Sequence, residues 1–365
     1  MRLPESSAGF DPMQLARPEI RALTPYASAR SLAGSSGILL NANESPFAPP
    51  IESDSSLNRY PDPQPETLKN RLAEIYRVEP DRLLITRGSD EGIDLLTRVF
   101  CRPNQDRVLI CPPCFGMYAL SARVQGAGVV ESNLIEEQGE FALNPDIQQH
   151  ALDCRLTFLC SPNNPTGNLI SLDRIESLAQ SQLPQGGLVI VDEAYIEFAP
   201  DNSALALQRI LPNLVILRTL SKAHALAGCR IGVVIANPKI IELLRRIIAP
   251  YPLPTPTVEI ALPVLSDDAL NIQQQQLTEL SEQKQRLLAA LESHPQVRQT
   301  WPGAANFVLI RVDDAKRLIQ SAGDAGIRLR DQSAQPGLDN CVRITIGSKV
   351  ETTALIEFLE TLNPS

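Results

Sequence analysis

Five short, continuous apolar runs, each broken off by a cluster of polar or glycine residues, constrain the fold of this chain more than any other feature. They are Arg82–Thr86 (RLLIT), Arg107–Cys111 (RVLIC), Leu156–Cys160 (LTFLC), Leu188–Val191 (LVIV) and Leu214–Leu217 (LVIL), with a sixth at Ile231–Ala236 (IGVVIA). A strand that is apolar at every position, not only at every second one, is buried on both faces. Helical patterns separate the runs, which predicts an α/β fold: a large domain whose mainly parallel sheet is flanked by helices. In such sheets ligands bind beyond the carboxyl ends of the strands. Those ends carry RGSDEG, PPCFGMY, SPNNPTG, DEAY and RTLSK.

The pattern changes near Tyr251-Pro-Leu-Pro-Thr-Pro-Thr257, a proline-rich stretch that suits a linker or a hinge. After it come a long polar helix pattern from Ser266 to about Ser293, strands around Asn306–Val312 and Val342–Ile346, a helix around Asp314–Gly323 and another near the C-terminus. These predict a smaller α+β domain. The expected division is an N-terminal arm over 1–45, packing on the small domain or on a partner subunit, a large domain over 46–256 and a small domain over 257–365. With 365 residues, 43% of them hydrophobic, the chain is long enough for two cores.

Charge excludes some partners. The balance 33 − 42 = −9 offers no general field for nucleic acid or anionic lipid, so any anionic ligand must be held by local basic groups. No apolar run approaches the ~18 residues of a membrane span, and MRLPESSAGF lacks the order of a signal peptide, so the cytoplasm is the expected compartment. The seven scattered cysteines suit reduced thiols. Cys111-Pro-Pro-Cys114 has the spacing of a redox pair or half a zinc site, but no second such pair or histidine pair completes it. His150, His224 and His294 are isolated in sequence, and no metal is expected.

Four strand-end groups carry chemistry. Thr219-Leu-Ser221-Lys222 follows a buried strand, where a lysine would be partly desolvated and near cations; that lowers its pKa and frees the neutral amine for a Schiff base. An ordinary solvated lysine is the alternative. Hydroxyls around it and Arg230 offer donors for a phosphate dianion. Arg87-Gly-Ser-Asp-Glu-Gly92 opens a helix whose N-terminus could hold that phosphate, or Ser89 or Asp90 could simply cap it. Asp192 closes LVIV, and a buried carboxylate there calls for a cation such as a protonated pyridine nitrogen, a metal, or a helix to cap. Ser161-Pro-Asn-Asn164-Pro-Thr-Gly167 reads as a tight turn.

Together SPNNPTG, DEAYIEF, RTLSKAHALAGCRIG and ITIGS, in that order, resemble the fold-type I, pyridoxal-5′-phosphate-dependent aminotransferases, and most closely their histidinol-phosphate aminotransferase family. Further matches are LNANESPF at 40–47, NRYPDP at 58–63, TRGSDEGIDLL at 86–96, PYPLPTP at 250–256, ANF at 305–307 and LRDQ at 329–332. The resemblance runs from about Arg17 to the C-terminus. It implies that Lys222 binds the cofactor covalently and moves the proton between substrate Cα and cofactor C4′. Asp192 would pair with the pyridine nitrogen, Asn164 and Tyr195 with O3′, and Phe115 would stack on the ring. Ser89, Asp90, Thr219, Ser221 and Arg230 would hold the phosphate, Ser89 and Asp90 mainly through backbone N–H groups, with Tyr60 reaching in from the other subunit of a homodimer. Tyr26, Asn43, Arg330 and Arg343 would surround the substrate.

Four positions depart from the family pattern: Phe115 in place of tyrosine, His224 in place of phenylalanine, and Cys229 and Ile231 beside Arg230. Stacking survives the first, and a packing role is expected of His224. The implied reaction transfers an amino group between histidinol phosphate and 2-oxoglutarate, with imidazole acetol phosphate and glutamate on the other side. Other readings on the same scaffold are an aromatic or broad-specificity aminotransferase, a phosphothreonine decarboxylase, and a cofactor-binding regulatory protein without turnover.

Overall fold

The structure, a computed structural model, describes residues 10–25, 40–50 and 57–362. Every apolar run becomes a strand. In chain order these are β1 (Leu83–Thr86), β2 (Arg107–Ile110), β3 (Gly128–Glu131), a hairpin of β4 (Ile135–Glu137) and β5 (Glu140–Ala142), then β6 (Leu156–Cys160), β7 (Leu188–Asp192), β8 (Leu214–Thr219) and β9 (Gly232–Ile235). Seven of them form one sheet in the order β1-β9-β8-β7-β6-β2-β3. All residues of β1, β6, β7, β8 and β9 are buried, as continuous apolar runs require.

Side chains alternate between two cores, following the period of two along a strand. Leu83, Val189, Val191, Leu214 and Ile216 meet the helices Glu66–Tyr76 and Leu172–Gln182. Leu84, Leu188, Ile190, Val215 and Leu217 meet the helices Ser89–Phe100, Met117–Gln125 and Pro238–Arg245 on the other face.

Four neighbouring pairs, from β8 through β7, β6 and β2 to β3, are parallel, whereas β9 runs antiparallel to both β8 and β1. The connection from β8 to β9 explains this exception. It contains only a short 3-10 turn at Ala227–Cys229, with no crossover helix to carry the chain back for a parallel return. That turn-back loop carries Lys222 and Arg230.

The second sheet is antiparallel throughout, in the order β10-β11-β13-β12, with β10 (Val297–Trp301), β11 (Phe307–Val312), β12 (Arg330–Asp331) and β13 (Cys341–Thr345). Its inner positions Val308, Ile310, Val342 and Ile344 pack on Leu287, Leu291, Leu318 and Leu355 of the helices Asp267–Glu292, Ala315–Asp324 and Lys349–Thr361. Alternation turns Phe307 the other way, where it joins Tyr195 of the large unit.

The proline-rich stretch runs into the helix Thr255–Val264; Pro256 lies in its first turn, where no intrahelical N–H bond is needed. One expectation is corrected. The segment 10–25 of the N-terminal arm packs on the core of the large unit, not on the small sheet. It forms short helices at Pro12–Leu15 and Pro18–Arg21, buries Ala16 and Ile20 in the core beside Val99, and donates from the Arg17 N–H to the Val99 carbonyl at 3.0 Å.

Candidate active site

Asp192 ends β7 at the carboxyl edge of the sheet and is 2% exposed. Its Oδ2 accepts a hydrogen bond from the Tyr118 hydroxyl at 2.7 Å and its Oδ1 one from the Ala194 N–H at 3.1 Å. Both partners are neutral donors. Burial pushes its carboxyl up to about 6, with the two hydrogen bonds opposing.

Lys222 stands in the β8–β9 turn with its Nζ 5.6 Å from the centre of the Tyr195 ring. Desolvation lowers its ammonium pKa, and Arg343 and Arg230 add to the effect by like charge. In the same loop Arg230 adopts the left-handed conformation (φ 54°) and donates to Ser221 Oγ at 3.4 Å and Asp90 Oδ2 at 3.3 Å. The Ser221 N–H donates to Thr219 Oγ1 at 3.2 Å. Gly88, at φ 80°, precedes the helix Ser89–Phe100, and a Cβ on it would lie 2.6 Å from Arg230 Nη2. Glycine there lets guanidinium, hydroxyls and helix N-terminus crowd round one point, an arrangement suited to a phosphate.

The SPNNPTG turn brings the small unit in. Gly167 packs against Gly303, and its carbonyl accepts from the Ala304 N–H at 2.7 Å. Asn164 Oδ1 accepts from Arg343, whose guanidinium also sits 5.3 Å from the centre of the Phe307 ring. Arg343 and Arg330 are directly opposed across β13 and β12. Two like charges in that register repel, and an anion between them removes the penalty.

Ser89, Asp90, Phe115, Asn164, Asp192, Tyr195, Thr219, Ser221, Lys222, Arg230, Arg330 and Arg343 line one cavity of about 590 Å³. Two residues named from the sequence lie elsewhere. Asn43 is exposed, and Tyr60 is 49% exposed and stacks on Tyr251 with ring centres 4.5 Å apart. Tyr26 lies outside the described residues. Sequence reasoning missed Gln332 and Gln335, which line the cavity beside Arg330, and Tyr118 behind Asp192. The signal for Tyr118 was a tyrosine on an apolar helix face, since a buried phenol requires a partner. Cys111 and Cys114 are free thiols, and burial raises both, Cys114 to about 12. Among the described residues no group of His, Cys, Asp and Glu is placed to hold a metal ion.

Residues 35–362 match the family described as aminotransferase class I and II. The chain belongs to the class I and II aminotransferases. This aminotransferase is 48% identical over 351 residues to the histidinol-phosphate aminotransferase of Xanthomonas campestris pv. campestris, covering 95% of this chain and 97% of that one. It is 45% identical to the histidinol-phosphate aminotransferase of Aeromonas hydrophila, with 95% and 97% covered. The crystal structure of histidinol-phosphate aminotransferase from Sinorhizobium meliloti in complex with pyridoxal-5′-phosphate has the same fold, with a TM-score of 0.74 at 23% identity over 88% of this chain and 90% of that one.

The cofactor of this aminotransferase is pyridoxal 5′-phosphate. The residues present fit it. A buried carboxylate between neutral donors suits a cationic ring nitrogen, the Gly88–Arg230 cradle suits the phosphate, and the lysine faces the same cavity.

Proposed function

We propose that this aminotransferase exchanges the amino group of L-histidinol phosphate with the keto oxygen of 2-oxoglutarate, working in histidine biosynthesis from imidazole acetol phosphate and glutamate. The observation that carries the reading is the 45–48% identity to histidinol-phosphate aminotransferases over 95% of the chain. The Arg330–Arg343 pair at the cavity supports it, because one site must accept a phosphate ester and a dicarboxylate, and a guanidinium fork pairs with either.

When bound, the cofactor supplies an electron-poor ring that takes up the electron pair of the breaking Cα–H bond. Lys222 would anchor it and then carry the proton between the substrate Cα and the cofactor C4′; desolvation, which lowers its pKa, favours the neutral amine that both tasks need. Asp192 holds the proton on the ring nitrogen. Asn164 and Tyr195 would orient the ring through O3′, Phe115 would cover its face, and Thr219, Ser221, Arg230 and the backbone N–H groups of Ser89 and Asp90 would bind the phosphate. Arg343 takes the α-carboxylate of glutamate and, with Arg330, the phosphate of histidinol phosphate. Tyr26 and Asn43 are assigned to the substrate from the family resemblance alone.

The active unit in this reading is a homodimer, with Tyr60 serving the phosphate of the neighbouring chain. Tyr60 stands outside its own cavity lining, and Leu40 and Phe47 of the same region are 86% and 79% exposed, apolar surface that a partner would cover. The cytoplasm is the proposed compartment, in keeping with seven free cysteines, six of them buried. Among the described residues no helix is long and apolar enough to cross a membrane.

The test is product identification. The purified protein is given histidinol phosphate, phenylalanine or phosphothreonine, each with 2-oxoglutarate. Imidazole acetol phosphate and glutamate are expected as the main products. Faster turnover of phenylalanine would replace this reading with an aromatic aminotransferase, and carbon dioxide from phosphothreonine would replace it with a decarboxylase.

A further inference from the structure

We propose that Tyr118 is a positioning residue for the cofactor, a single side chain that fixes the carboxylate of Asp192 and props the ring of Phe115. The inference rests on the reading that Asp192 meets the ring nitrogen and Phe115 the ring face.

Tyr118 lies in the first turn of the helix Met117–Gln125 and is 0% exposed. Its ring stacks on Phe158 of β6, centres 5.0 Å apart and 6° from parallel, and meets Phe115 edge to face at 5.7 Å and 85°. Held between those rings, the phenol has one direction for its hydroxyl, and it donates to Asp192 Oδ2 at 2.7 Å. Losing that donor would free the carboxylate to rotate and leave Oδ2 without its partner on the helix. A truncated side chain would also remove the edge that Phe115 leans on.

The charge state of Asp192 depends on everything packed around it. Cys160 faces it from β6, Asp90 from the helix Ser89–Phe100, Lys222 from the β8–β9 turn, and Glu193 and Tyr195 follow it in the chain. Burial is the largest influence and raises its pKa, with Asp90 and Glu193 adding to the rise. The hydrogen bond from Tyr118 is the largest influence in the opposite direction, ahead of the Ala194 N–H. Without it the carboxyl keeps its proton to higher pH, and a neutral acid cannot pair with a cationic ring nitrogen.

The experiment measures equilibrium affinity of the apoprotein for pyridoxal 5′-phosphate from about pH 5.5 to about 8.5, bracketing the raised carboxyl. Wild type is compared with Tyr118→Phe, which keeps both ring contacts, and with Asp192→Asn. In Tyr118→Phe the acid midpoint of binding is expected about one pH unit higher, with roughly tenfold weaker binding at the acid end and less than about twofold change at the alkaline end. Should Tyr118→Phe fail to fold, 3-fluorotyrosine introduced at Tyr118, a stronger donor of nearly the same shape, should move the midpoint down. Visible circular dichroism of the bound cofactor should survive Tyr118→Phe and change in Tyr118→Leu. An unshifted midpoint in Tyr118→Phe beside an altered Asp192→Asn overturns the role of Tyr118 alone. Wild-type binding by Asp192→Asn at every pH overturns both this inference and the reading beneath it.

Discussion

Asp192 and Glu193 are adjacent in sequence and almost equally buried, at 2% and 1% exposure, yet their surroundings differ completely. The alternation of β7 sends them to opposite faces of the sheet. Asp192 follows Leu188 and Ile190 toward Tyr118 and the cavity, where its partners are neutral. Glu193 follows Val189 and Val191 toward Arg218, to which its Oε2 lies at 2.7 Å, while the Ala204 N–H and Ser203 hydroxyl donate to it at 2.6 and 3.0 Å. Arg218 in turn meets Glu197 at 3.1 Å and sits 5.2 Å from the centre of the Tyr76 ring. A buried acid neutralised from within the fold is part of the scaffold. One held ionisable by neutral donors beside a cavity is matched to a cationic ligand.

The two faces should therefore fail differently when mutated, and the largest loss belongs to the group that acts in the cavity itself. Lys222→Ala should reduce turnover by at least about ten-thousandfold, because covalent anchoring and proton transfer disappear together. Its melting temperature should stay close to that of wild type. Single-turnover assays alongside thermal melts check both halves, and transamination at near wild-type rate would remove Lys222 from the mechanism.

Next comes the pair itself. Glu193→Ala leaves Arg218 short of its closest partner and should cost roughly 3–5 kcal/mol of stability in denaturant titration. Asp192→Asn should do the reverse: little or no stability loss, but a fall of about a hundredfold to a thousandfold in the rate of Cα proton removal. Its pH signature is specific. Burial raises the Asp192 carboxyl from an ordinary 3.8 to about 6, so the folded apoprotein binds a proton in that window that the unfolded chain has released. Stability from this group is thus full below the lower value and lost as pH rises through the upper one. Asp192→Asn should flatten that part of the stability curve; an unchanged slope would mean that the carboxyl is not raised.

A smaller effect is expected at the mouth of the cavity. Removing one desolvated arginine–anion contact costs about 2–5 kcal/mol. Arg343→Ala should impair both half-reactions, since Arg343 is assigned to the carboxylate as well as the phosphate. Arg330→Ala should weaken histidinol phosphate far more than glutamate. Equal losses toward both substrates in Arg330→Ala would mean that the phosphate pocket is elsewhere.

How much of this could be read in the sequence follows from the same alternation. Runs apolar at every position announced β6, β7 and β8, and the polar cluster after each contributes to the lining of one cavity. Gly128–Glu131 escaped notice because β3 is an edge strand with partly exposed residues, lacking the continuous burial that marks the others. The reversed direction of β9 depended on what the β8–β9 loop does in three dimensions, which no local pattern encodes. Arg218 and Thr219 are adjacent in RTLSK, and only strand parity assigns the first to the scaffold beside Glu193 and the second to the cavity beside Asp192. Tyr118 carried only the signal of a phenol on an apolar helix face, and the identity of its partner, 74 positions away, was not legible.

His224 gives the smallest effect and the sharpest test of the face argument, because it lies only two residues from Lys222 in sequence. It is 6% exposed and lines a different cavity, of about 660 Å³, together with Arg218, Glu197 and Tyr76 on the scaffold face. Burial, followed by the nearby Arg218, lowers its pKa to about 4, so the imidazole is neutral at physiological pH. Its Nδ1 has no hydrogen-bond partner among the described residues. Phenylalanine would retain the ring and remove the polar atoms, so His224→Phe should leave turnover within about threefold and stability within about 1 kcal/mol at neutral pH. The sign then depends on acid. A depressed histidine contributes stability that is present above its unfolded value and is lost as pH falls through the folded one, so the variant should gain on wild type between about pH 6.5 and about 4. A loss of turnover above about tenfold with unchanged folding would show that His224 acts on Lys222 across the sheet edge, and burial on the scaffold face would no longer mark a residue as structural.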